Sequence, residues 1–86
     1  MKPEAATTPA RRLYYSCMLA YIDEPNRDDH QKDVGARFGE LVAAFESAEA
    51  KEICIHLATL LARSDFYKAL AECRKLIEYE DRVLSC

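Results

Sequence analysis

Two clusters of arginine and tyrosine carry the clearest binding chemistry in this chain. Arg11 and Arg12 stand beside Tyr14 and Tyr15, and Arg74 and Lys75 precede Tyr79 and Arg82. Aromatic rings next to cationic side chains stack on unpaired bases and clamp phosphates. The same residues also serve plainer ends. Long basic side chains lay their stems over apolar helix surface, and a cation near a helix C-terminus, such as Arg82, complements the dipole. Tyrosine and arginine are also the types enriched in protein–protein hot spots. Arg11, Arg12, Tyr14, Tyr15, Arg74 and Lys75 are therefore the candidate contacts for RNA or for a protein partner.

Other chemistries find less support. Carboxylates are plentiful, but Asp23, Glu24, Asp28, Asp29, Asp65, Glu78, Glu80 and Asp81 fall at helix starts, turns and the end of the sequence. Capping and solubility explain acids in such places, whereas acid–base pairs need burial that splits their pKa values. No glycine-rich turn offers a nucleophile elbow or a phosphate cradle. Cys17, Cys54, Cys73 and Cys86 are widely spread, without a CxxC, and His30 and His56 are isolated. Zinc ligands come in close pairs, so the first three cysteines read as small apolar helix residues. Cys86 reads as an exposed thiol prone to adventitious intermolecular disulfides. No enzyme, metal or cofactor is expected.

Charge narrows the binding reading. Of 86 residues, 15 are acidic and 12 are Lys or Arg, a net charge of −3. Nucleic-acid affinity rests on cations that release phosphate counterions, so any RNA contact must use a local basic patch. No apolar run approaches the roughly 20 residues that span a bilayer. The stretch MKPEAATTPARR lacks the apolar core of a signal peptide. The expectation is a cytoplasmic protein with no membrane partner.

The elements that must hold these residues are helices. Met1 to Thr7 reads as a flexible lead, and residues 8–86 as one helical domain. Thr8 is a good N-cap with Pro9 at the first helical position, and the first helix should end near Ile22, before Pro25. It is apolar on more than one face: Leu13, Cys17, Ala20 and Tyr21 form one stripe, Tyr14, Met18 and Ile22 another, Tyr15 and Leu19 a third. Such a helix is buried on most sides. Asn26 should cap a second helix with a seam of Val34, Phe38, Leu41 and Phe45. Gly35 and Gly39, one turn apart, suggest a place where another backbone approaches. Ser47 should cap a third helix with a core face of Ile53, Leu57, Leu60 and Leu61, and a second strip of Ile55 and Ala58. Ser64-Asp65 should start a fourth, with Phe66, Leu70, Cys73 and Ile77 inward, flanked by Leu76 and Val83. The fold class is all-α, a compact antiparallel bundle of about four helices. Short connections make sequential helices neighbours.

Three blocks carry a resemblance: TPARRLYY at Thr8–Tyr15, AYID at Ala20–Asp23 and DFYKALAECRKLIEYED at Asp65–Asp81. Together they resemble the C-terminal helical portion of the FlbT family, regulators of flagellin synthesis. The resemblance implies post-transcriptional regulation of flagellum biogenesis at the 5′ leader of flagellin messenger RNA, as a repressor in some bacteria and positively in others. It implies action alongside FlaF, a second small regulator. Direct docking on flagellin or FlaF, as an adaptor or chaperone, is the alternative. The family carries an N-terminal segment of β character before the TPARR block, where only Met1 to Thr7 stands here. Helix 1 would then show an apolar face that the segment covers, and a homo-oligomer is expected.

Overall fold

The computed structural model describes residues 8–85, so the expected N-terminal lead and the Cys86 thiol lie outside the described residues. Four helices follow one another: α1 (Pro9–Ile22), α2 (Arg27–Ala44), α3 (Ala48–Ala62) and α4 (Phe66–Ser85), with a short 3-10 turn at Glu24–Asn26 between the first two. The all-α bundle expected from the apolar spacing is therefore the fold.

Capping sets the boundaries. The Thr8 hydroxyl oxygen accepts the Arg11 N–H at 3.3 Å, the Ser47 hydroxyl oxygen accepts the Ala50 N–H at 3.2 Å, and Asp65 Oδ1 accepts the Lys68 N–H at 3.3 Å. Each satisfies one of the orphan donors of a first turn. Asn26 departs from its expected role: its side chain makes no cap bond to α2. Its amide instead donates to Asp23 Oδ2 at 3.1 Å, because the intervening 3-10 turn aims it backwards. Arg27 closes the same corner by donating to the carbonyls of Ala20 and Tyr21 at 2.8 and 3.3 Å, two acceptors that α1 leaves open. At the end of α3 the chain turns through Ser64 in the left-handed region, φ 56°. Asp65 N–H reaches Leu60 O at 2.9 Å and Ser64 N–H reaches Leu61 O at 3.0 Å. That paired pattern is a Schellman ending, here without the glycine that usually carries it.

Packing centres on α1 and α4. α1 packs against both α2 and α4, and α3 packs against α4. The pairs run antiparallel: the start of α1 meets the end of α4 at Arg11–Asp81, and its end meets the start of α4 at Tyr21–Tyr67. The expectation that sequential helices are neighbours fails once, since α2 and α3 scarcely touch. An extended linker is the reason. Phe45 (φ −111°, ψ 130°) and Ser47 (φ −70°, ψ 151°) carry the chain away from α2. They bind the flank of α4 instead: Phe45 stands edge-on to Tyr79 at 5.5 Å, and the Tyr79 hydroxyl donates to Ser47 Oγ at 2.5 Å.

The core draws Ala10, Leu13, Cys17 and Ala20 from α1, Val34 and Leu41 from α2, Ala50, Cys54 and Leu57 from α3, and Phe66, Ala69, Cys73 and Leu76 from α4. Fully burying each leucine contributes about 1.5–3 kcal/mol. Three sequence expectations change here. Gly35 and Gly39 meet no other atom within 4 Å of where a Cβ would sit, so no backbone approaches them. Ile55 is exposed rather than covered, because α3 has a packed neighbour on one side. Helix α1 is buried along one stripe but leaves Tyr15 and Ile22 each 64% exposed on another.

Candidate functional site

An open groove of about 730 Å³ runs along α3 and α4, with Tyr14 of α1 reaching its edge. It gathers two of the residues singled out from sequence, Tyr14 and Arg74. Of their neighbours there, Tyr67 and Lys68 escaped the sequence reading, and His56 was read only as an isolated histidine. One signal was available: Tyr67, Ala71 and Arg74 fall at i, i+4 and i+7 and so share one face of α4. Tyr14 is half-buried, which fixes its ring against the scaffold, whereas Tyr67, Lys68 and Arg74 are exposed. Leu60 and Leu70 make the apolar floor.

The electrostatics of the groove are mixed. Lys75 Nζ lies 2.9 Å from Glu72 Oε2, and His56 Nδ1 lies 3.8 Å from Glu72 Oε1. Lys75 therefore serves first to neutralise a largely buried acid. Lys68 holds only a long 3.9 Å contact with Asp65. Arg74 has no ion pair among the described residues; it is exposed and lines the groove.

The other candidates lie elsewhere. Arg11 bridges the two terminal helices, donating through Nη2 to Asp81 Oδ1 and Oδ2 at 3.0 and 3.2 Å and standing 3.8 Å from Glu80. Glu80 is only 3% exposed. It accepts the Thr8 hydroxyl and the Ala10 N–H at 3.1 Å, so a carboxylate at the far end of the chain caps α1. Arg12 has no ion pair among the described residues, and its Nε is shut from solvent without a hydrogen-bond partner. Tyr15 points away from the core, on a face of α1 that the groove does not reach. Arg82, read as a dipole complement, is in addition held by Glu49 at 2.6 Å and lies 5.7 Å from the Tyr79 ring. The Glu49 carboxylate pushes its pKa up.

The thiols are apolar filling, as their helical positions suggested. Cys17, Cys54 and Cys73 are free and buried. A hydrogen bond with Cys17, then burial, pushes the Cys73 thiol up, and burial pushes Cys54 up. Thiols held neutral in this way are poor nucleophiles. Among the described residues no three His, Cys, Asp or Glu side chains converge to hold a metal ion. No described helix is long and apolar enough to cross a membrane.

The scaffold is a small helical one with an open groove lined by rings and cations. Comparison with known proteins gives it a family: the profile of "Flagellar protein FlbT" matches residues 1–84, and the chain belongs to that family. The "Probable flagellum biosynthesis repressor protein FlbT" of Caulobacter sp. (strain K31) is 37% identical over 84 residues, covering 98% of this chain and 64% of the relative. The "Flagellum biosynthesis repressor protein FlbT" of Caulobacter vibrioides (strain ATCC 19089 / CIP 103742 / CB 15) is 34% identical over 84 residues, covering 98% and 60%. "Probable flagellum biosynthesis repressor protein FlbT 1" of Bradyrhizobium diazoefficiens is 31% identical over 86 residues, covering 96% and 55%. The chain thus spans 55–64% of the length of these three relatives. No solved structure matches it.

Proposed function

We propose that this chain represses flagellum synthesis as a non-catalytic module that binds the 5′ leader of flagellin messenger RNA, and that an unpaired stretch of the leader lies in the α3–α4 groove. The reading requires the cytoplasm, where messenger RNA lies. The names of its relatives support a repressor of flagellum biosynthesis. The observation that carries the RNA contact is the meeting of Tyr14, Tyr67, Lys68 and Arg74 around one groove. Rings of this kind stack on bases of any sequence, and the two cations sit where they can meet the phosphates between them.

Fluorescence anisotropy with a labelled flagellin leader RNA tests this. With Lys68 and Arg74 as the two phosphate contacts, affinity should fall roughly sevenfold from 50 to 200 mM salt. Lys68→Glu combined with Arg74→Glu should abolish binding. Binding unchanged in that double variant would sink the reading.

A second reading has an observation of its own. The groove floor is apolar, with Leu60, Leu70 and Ala71, and Arg11, Arg37, Lys75 and Arg82 already hold carboxylates. A protein partner, flagellin or FlaF, would dock on such a floor with little salt dependence. Salt-insensitive binding of either protein, lost in Tyr67→Ala and with no RNA binding, would select it.

A further inference from the structure

Helix α1 carries two seams, and the fold fills one of them. Ala10, Leu13, Cys17 and Ala20, spaced three, four and three, form the filled seam and are wholly buried. Arg12, Tyr15, Leu19 and Ile22 repeat the same spacing on the outer side. Tyr15 and Ile22 are each 64% exposed, and Arg12 and Leu19 are half-buried. Three-four-three spacing is that of the a and d positions that mate two helices. This outer seam runs over about three turns of a helix that the bundle already holds formed, so pairing it costs no helix nucleation.

We infer that the outer seam of α1 binds the same seam of a second copy of this chain, antiparallel, about a two-fold axis. Charge selects that occupant. The seam is basic at one end, where Arg12 has no ion pair and an unsatisfied Nε. Just beyond its other end, in the 3-10 turn that follows α1, Glu24 is exposed and also has no ion pair among the described residues. A two-fold crossing near Leu19 sets Tyr15 of each copy against Ile22 of the other. It also brings each Arg12 within about a turn of Glu24 of the second copy. A parallel pair would stack like charges at both ends. Arg11 takes no part, being held by Asp81. Two 14-residue helices bury less than the roughly 1,200 Å² of a standard interface, so the pair should be weak and concentration-dependent.

Sedimentation velocity of the chain across about two decades of concentration, up to several hundred micromolar, tests the inference. A monomer–dimer equilibrium is expected. Ile22→Asp should weaken it at least tenfold, with the helical circular dichroism of the monomer unchanged because the position is on the surface. Arg12→Glu should weaken it severalfold, and Arg12→Glu combined with Glu24→Arg should restore it. A chain that stays monomeric throughout overturns the inference and leaves the seam to another molecule. A dimer indifferent to Ile22→Asp, or one that the double charge swap fails to restore, overturns the interface and its register respectively.

Discussion

The two ends of the α1–α4 pair are built on different principles. At one end Thr8, Ala10 and Arg11 converge on Glu80 and Asp81, while the next residue back, Tyr79, fastens the linker at Ser47. At the other end the helices meet through Tyr21 and Tyr67, whose rings tilt at 43° with centroids 5.8 Å apart, and both rings are exposed. The first end consumes its polar groups in holding the fold. The second leaves rings and cations unspent, and the groove opens beside it. A bundle of this size has little stability to give away, so its exposed rings and cations collect where the α1–α4 pair is least fastened.

The comparison breaks most visibly at Glu80. Glu80→Ala strands the buried Ala10 N–H and the Thr8 hydroxyl, and should cost about 3 kcal/mol in urea unfolding followed by circular dichroism. A loss below about 1 kcal/mol would mean that the closed end is no stronger than the open one. A matched pair of substitutions sharpens the contrast. Tyr79→Phe removes a single hydroxyl at the closed end and should cost about 1 kcal/mol. Tyr67→Ala removes a whole ring at the open end and should cost about 0.5 kcal/mol. Reversed magnitudes would overturn the assignment of roles.

The smallest effect is acidic. A hydrogen bond from His30, then one from Asn26, holds the Asp23 carboxyl below its ordinary range at the corner after α1. Its folded pKa is lower than its unfolded one, so its contribution is full above the ordinary carboxylate value of about 3.9. That contribution is lost as pH falls through the lower folded value. The 13Cγ resonance of Asp23 should therefore titrate at a lower pH in the parent chain than in His30→Ala combined with Asn26→Ala. Equal midpoints would place the cause of the depression elsewhere.

Local chemistry was legible in the sequence where its cause was local. Thr8, Ser47 and Asp65 cap the helices that follow them because a cap needs only its own first turn. The buried stripes of α1 and α4 follow from spacing for the same reason. Tertiary choices were not legible. The glycine pair on α2 and the strip at Ile55 read as contact surfaces because spacing shows that a face is suited to packing, not whether a neighbour arrives. Glu80 looked like one acid among several near the end of the sequence, since nothing nearby marks it as the acceptor for residues 70 positions earlier. Arg11 and Arg74 belong to types with the same chemistry. Only the fold separates a cation paired with Asp81 from one left open at a groove.

The Glu80 cap also bears on how the protein is made. Thr8 and Ala10 leave the ribosome long before Glu80 is translated. Until then the Ala10 N–H in the first turn of α1 lacks the carboxylate that accepts it in the folded protein. Closing so long a loop comes late in folding. A product interrupted within α4 before Glu80 would hold much of the core yet fray at the start of α1, where local opening exposes the backbone to proteolysis.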